Sequence, residues 1–273
     1  MRNSAFAGSF YPSDSKELLE FVSNAVSSAD IDSGVATGVK SYVAPHAGYV
    51  YSGKPAACTY KLLKENAKEL DTIVLVGPNH TGMGKAIAIS TQDWKTPLGV
   101  VNNDVELAKV ISEQDSFFSL DEAAHREEHS LEVELPFIQH VAPGTKAVFI
   151  CMANQGFESS MSLATSIVVS AKQLGRRITV IASSDLNHYE PAAVAKRKDE
   201  MLFESIRKLD VDGFYRAVKE SEDSACGYGP IAVSLLFARS KGAIQGEILK
   251  YSNSGDETGD YESVVSYASI AFK

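Results

Sequence analysis

Three histidines and one cysteine stand where this 273-residue chain would deliver ligands or proton-transfer groups to a common rim. His46 follows the apolar run in SYVAPHAGYVYSG, His80 ends TIVLVGPNH, and ITVIASSDLNHYE carries Asp185 and His188. Cys226 lies in DSACGYGP, just ahead of an apolar helical pattern. A β-branched run that breaks at Pro, Gly or Asn reads as a buried strand handing its next residues to a sheet edge. Ligands of open α/β sheets bind at the carboxyl ends of such strands. Imidazoles and a thiolate there suit iron, copper or zinc, and an imidazole also serves as a general base near neutral pH.

Each residue has a plainer alternative. His46 is flanked by Ala44, Ala47 and Gly48, which let a ligand approach closely; otherwise it caps a turn, and His80 has the same two readings. Asp185 is spaced to orient the His188 ring, or else to cap a turn before the helix near 191. The helix expected from Gly229-Pro230 would lower the Cys226 thiol pKa through its N-terminal dipole. Cys58 and Cys151 fall within apolar patterns and read as inert core. His125-Arg-Glu-Glu128-His129 matches H-x-x-E-H. That motif needs one long helix, whereas apolar periodicity begins only at Leu131 and Pro136 follows. His129 and Glu132 are kept as pocket-lining candidates, and His140 as a surface position.

The elements that must position these groups alternate. Apolar strand-like runs occur near 39–45, 72–78, 86–90, 146–152, 178–183, 246–252 and 263–272. Helical patterns begin at Ser13 and at Ser52, the latter with Pro55 in its first turn, and recur over 104–114, 130–140, 159–174, 191–208, 210–220 and 229–241. This alternation predicts one α/β domain over residues 1–273, with a mixed, mostly parallel central sheet covered by helices on both faces. The Gly/Asp-rich link NSGDETGD predicts an antiparallel return between the last two strands.

A net charge of -9 and a pI near 5.2 argue against a nucleic-acid or anionic-membrane surface; AKRKDE reads as a solvated helix face. The N-terminus lacks a signal-peptide core, and no apolar run approaches the roughly 18 residues of a membrane span. Three widely spaced cysteines make no disulfide framework, which fits a reducing cytoplasm. No glycine-rich nucleotide fingerprint follows a strand.

The segments FAGSFYPSD, APHAGYVYSG, VGPNHTG, EEHSLEVELPF, SSDLNHY and ACGYGP run in order through almost the whole chain. Together they resemble the Memo family, whose prokaryotic members are also labelled AmmeMemoRadiSam system protein B. The resemblance implies a domain similar to class III non-haem iron extradiol dioxygenases. Those enzymes hold Fe(II) with two histidines and a glutamate and leave positions open for substrate and dioxygen. On the matching positions, His46 and His80 look like the histidine ligands, and Cys226 falls where the glutamate would be. His188 resembles the acid/base histidine and His129 a pocket-lining one. Thiolate in place of carboxylate favours Cu(I), Zn or thiolate-bound iron and departs from ordinary ring cleavage.

The leading expectation is a metal-binding redox protein, an oxidase or oxygenase of a small substrate, with one metal ion: Fe(II) or Cu(I), or else Zn. His188 would be its proton shuttle, oriented by Asp185. Two other readings stay open. One is an adaptor binding a peptide in the same pocket, as an animal member of the family is regarded in cell-motility signalling. The other is a Cys–His hydrolase with Cys226 as nucleophile and His188 as base. The family label further implies a pathway link to a radical-SAM protein and an AMMECR-type protein.

Overall fold

The computed structural model describes residues 1–31, 34 and 37–273. Four strands with continuous apolar runs form the middle of one nine-stranded sheet: β1 (Ser41–Ala44), β8 (Ile178–Ser183), β2 (Thr72–Pro78) and β7 (Lys146–Met152), parallel and adjacent in that order. Both faces of these strands are buried, which is why they lack polar alternation. Beyond β1 lie β11 (Val264–Phe272) and β10 (Gly246–Asn253), both antiparallel to their neighbours. Beyond β7 lie β3 (Ile87–Ile89), antiparallel, and β6 (Phe118–Leu120). A single α/β domain with a mixed, mostly parallel sheet is therefore what the alternation of runs specifies.

The period of two divides the core. Tyr42, Ile73, Leu75, Phe149 and Ile181 face α1 (Ser15–Ser28), α2 (Tyr49–Asn66) and α4 (Leu135–Val141). Val74, Val76, Val148, Ile150 and Val180 face α3 (Val105–Ser112), α5 (Phe157–Gln173) and α8 (Tyr228–Ser240). Val43, Ala182 and Ile270 pack with α6 (Ala192–Arg207) and α7 (Val211–Ser221). Asp14 caps α1 by accepting from the Lys16 and Glu17 amides.

Several boundaries differ from expectation. α2 begins at Tyr49, not Ser52, so Pro55 lies inside the helix and one backbone hydrogen bond there is unmade. α4 starts at Leu135 rather than near 130, because residues 130–134 form turns that bury Glu132 and Glu134. Short elements carry too little periodicity to be read from sequence: the hairpin β4 (Trp94–Thr96) and β5 (Gly99–Val101), β6, and β9 (His188–Glu190) paired to β11. The return between β10 and β11 is antiparallel as expected and carries one turn of helix, α9 (Gly255–Thr258). Among the described residues no helix is long and apolar enough to cross a membrane.

Candidate metal centre

β1, β8 and β2 are neighbours in the sheet, and each ends two residues before a candidate group: His46 after Ala44, Asp185 after Ser183, His80 after Pro78. Adjacent parallel strands thus carry all three to one rim. Cys226 arrives from the loop before α8. Its amide donates to the Asp185 carbonyl at 3.2 Å, its carbonyl accepts from Gln155 Nε2 at 2.8 Å, and the next amide, of Gly227, donates to Ser184 Oγ at 2.9 Å. A Cβ at position 227 would lie 2.5 Å from the Ser183 carbonyl oxygen, so glycine is required for this loop to close on the strand ends.

His46 Nε2 and Cys226 Sγ are 3.2 Å apart. Ligand atoms of His46, His80 and Cys226 all lie within 4.8 Å of one another. The His46 and His80 rings are inclined at 80°, which lets lone pairs in their two planes converge. Atoms bound to one ion at about 2.0–2.3 Å lie roughly 3–4 Å apart, so small side-chain movements close this set on an ion. The second nitrogen of each ring is engaged: His80 Nδ1 with Glu128 Oε1 at 2.9 Å, His46 Nδ1 with Ser183 Oγ at 2.7 Å. Such outer partners fix ring orientation and tautomer at histidine metal sites. Two imidazoles and a thiol fit zinc, copper or thiolate-bound iron by donor type.

A second group, His80, Glu128 and His129, also has its ligand atoms within 4.8 Å. There the His80 and His129 rings stack at 4.5 Å with only 20° between planes. In-plane lone pairs of stacked rings do not meet at one ion, so this group is a scaffold. Glu128 accepts from the His80 amide at 2.6 Å and the Ser130 amide at 2.9 Å. His129 forms a wall, edge-on to His46 and packed on Phe10.

Charge follows burial. The His46 pKa is held well below its ordinary value by burial and then by the neighbouring His129 and His80, so the ring is a neutral ligand. Burial, then Asp185, pushes the Cys226 thiol up, which corrects the expectation of a helix-lowered thiol. Any ion bound there must displace the thiol proton. Burial would raise Glu128, but its His80 contacts and backbone donors bring it to about 2. Burial holds His129 at about 4, with His80 adding to the shift.

Asp185 does not orient His188. Its Oδ1 accepts from the amides of His46 at 2.8 Å and Ala47 at 3.3 Å, so the carboxyl braces the His46 loop; burial raises its pKa to about 7. His188 sits in β9, its amide donating to Ser224 Oγ, and its buried Nδ1 has no aligned partner among the described residues. Burial lowers its pKa. His188, Asp185 and His129 line a cavity of ≈ 450 Å³ with Phe10, Tyr51 and Tyr267. A larger hollow of ≈ 680 Å³ opens elsewhere, beside Asp71, Lys146 and Arg176, and none of the candidate residues lines it.

Glu132 belongs to a structural anchor, not to the cavity wall. It takes Arg2 Nη1 at 2.6 Å, the Tyr11 hydroxyl at 2.6 Å and the amides of Ala5 and Phe6. The N-terminal segment is thereby pinned so that Phe6 and Phe10 cover His129. His125 lies in a turn and His129 in irregular chain, with no helix joining them, and His125 is sealed in the core beside Trp94, so H-x-x-E-H makes no metal site here. Cys58 and Cys151 are buried with raised thiol pKa values, and burial is the cause.

Glu128, Ser183, Glu134 and Gln155 carry no local signal of their roles. The Leu131-Glu-Val-Glu-Leu135 alternation ordinarily marks a half-solvated strand; here both the apolar and the acidic positions are almost fully buried. That combination requires an internal use for the acids, and only tertiary placement reveals it.

Fold and site together define an α/β sheet protein with a histidine–cysteine candidate metal centre at the carboxyl ends of its central strands. The family described as "Memo-like protein" matches residues 2–271, and the chain belongs to that family. It is 41% identical to a MEMO1 family protein of Methanopyrus kandleri over 281 aligned positions, covering 100% of this chain and 99% of that one. It is likewise 41% identical to a MEMO1 family protein of Archaeoglobus fulgidus, with both chains fully covered. A crystal structure of an Escherichia coli K12 protein shares the fold, with a TM-score of 0.54 and 14% identity over 86% of this chain and 100% of that chain.

Proposed function

We propose that this chain is a metal-binding redox protein that holds one iron or copper ion with His46, His80 and Cys226 and acts on a small substrate in the adjoining cavity. The observation that carries the reading is the convergence of two differently inclined imidazoles and a thiol, each imidazole backed by a hydrogen-bond partner on its other nitrogen. A redox-active ion supplies one-electron and Lewis-acid chemistry that no side chain offers. The protein groups do the rest. Asp185 and Gln155 brace the loops that carry His46 and Cys226. His188, neutral through burial, holds a nitrogen ready to accept a proton from a substrate in the cavity. Phe6, Phe10 and His129 shield the ligands from water on one side. The Cys–His hydrolase reading is disfavoured, since the imidazole facing Cys226 is His46 and burial keeps the thiol protonated.

The test is elemental analysis of anaerobically purified protein beside His46→Ala and Cys226→Ser. About one equivalent of iron or copper, lost in both variants, is expected. Failure of the wild-type chain to bind either ion on reloading would refute the proposal.

A further inference from the structure

Behind His46 lies a chain of buried polar groups that the proposed chemistry does not use directly. Ser183 Oγ has three neighbours: His46 Nδ1 at 2.7 Å, the Ser130 carbonyl oxygen at 2.6 Å and Glu134 Oε1 at 2.9 Å. Beyond them, the Tyr60 hydroxyl donates to Glu134 Oε2 at 2.5 Å. Ser183, His46, Tyr60 and Glu134 are all 1% exposed or less.

Counting protons fixes the arrangement. A serine hydroxyl has one proton to give and two lone pairs to receive with. The Ser130 carbonyl can only accept, so at 2.6 Å the Ser183 proton must point to it. His46 Nδ1 must then donate to Ser183, which leaves the Nε2 lone pair free to accept a hydrogen bond from the Cys226 thiol or to bind an ion. Glu134 Oε1 faces the remaining lone pair of Ser183. An ionised carboxylate there would set negative charge against a lone pair in a dry interior, an arrangement a buried site does not tolerate unpaired.

We infer that Glu134 is a neutral carboxylic acid at physiological pH, donating its proton to Ser183 and thereby locking His46 with Nδ1 protonated. A carboxyl kept neutral so that it can donate has a precedent in enzyme interiors. The surroundings agree. Glu134 stands just before α4 and faces Tyr60 and Tyr49 of α2, Ser183 at the end of β8, and Asp185 and His46 beyond; none of these brings a positive charge at neutral pH. Burial raises its pKa to about 8. Glu134 is a positioning residue: it touches no ligand atom and acts through Ser183 on the tautomer of His46. The Tyr60 donation holds its other oxygen, so the acid proton is confined to Oε1.

The experiment is infrared spectroscopy of the metal-free chain at pH 7, beside Glu134→Gln. A protonated-carboxyl component that Glu134→Gln removes from the wild-type spectrum, beside whatever Asp185 contributes to both, is expected; identical carboxyl bands in the two proteins at pH 7 overturn the inference. This reading is independent of whether the centre takes iron. A second arm rests on the proposed function and measures anaerobic Fe(II) affinity. The side-chain amide introduced by Glu134→Gln would offer Ser183 an N–H in place of the acid O–H. That variant is therefore expected to bind within about threefold of wild type, and Ser183→Ala to lose roughly 10–100-fold. Equal losses in both variants would mean that the carboxylate charge is required and would also overturn the inference. Thermal midpoints from pH 5 to 9 give a third readout. A raised folded-state pKa makes stability fall as pH rises from about 4.5 to 8. The Glu134→Gln midpoint should therefore gain on wild type with rising pH.

Discussion

Glu128→Gln isolates the support of one ligand without changing its size. In the native chain Oε1 of Glu128 takes both His80 Nδ1 and the Ser130 amide, and Oε2 takes the His80 amide. Glutamine has one oxygen for these three donors. Whichever way the amide is turned, its NH2 faces at least one N–H, leaving a buried donor unsatisfied at a cost of about 1–3 kcal/mol. The His80 ring loses its charged acceptor and with it part of the basicity of Nε2. A loss of outer support of this kind lowers metal affinity by about 10–100-fold, or roughly 1.4–2.7 kcal/mol. The assay is anaerobic Fe(II) titration against a competing chelator, with thermal unfolding run beside it to show that the variant is folded. A folded variant that binds within threefold of wild type would refute the reasoning. The same variant has a pH signature. Glu128 is held down near 2 against an ordinary 4.5, so its stabilisation is present above about pH 4.5 and is lost as pH falls towards 2. Glu128→Gln should flatten that acid limb.

Metal loading should raise the thermal midpoint: at a free ion concentration of about 100 Kd the gain is roughly 2.7 kcal/mol, or about 5–10 °C for a chain of this size, and His46→Ala should show none of it. Cys226 in the metal-free protein should react with a thiol alkylator more slowly than a free thiol at neutral pH, because burial holds its proton on; rapid, selective labelling would restore the nucleophile reading. Arg2→Ala should cost about 3–5 kcal/mol in chemical denaturation, since it strands Glu132 beneath the N-terminal segment; a loss under 1 kcal/mol would show that the anchor is dispensable.

The strand ends are legible in the sequence because three apolar runs stop at Pro or Ser before a His or Asp, and strand order then places them side by side. Cys226 can be proposed from its small neighbours, but its contact with His46 depends on how Gly227 nests against Ser183, which no local pattern encodes. Asp185 misleads because its nearness in sequence to His188 suggests a pair. The carboxyl instead turns to the amides of His46 and Ala47, 139 and 138 residues away. Read from sequence, Glu132 lines the pocket and Glu134 has no assigned role, because alternating acids within an apolar run do not show what they bind. Their roles come from Arg2, Tyr11, Tyr60 and Ser183, which lie far along the chain.

The distance between His46 and Cys226 along the chain, 180 residues, sets a clock on assembly. At about 5–20 residues per second, the thiol emerges from the ribosome roughly 10–40 s after the first imidazole. During that interval the nascent chain presents only two of the three proposed ligands, His46 and His80. In the proposed centre, complete three-ligand coordination therefore waits on the last third of the chain, when the loop before α8 closes on the strand ends.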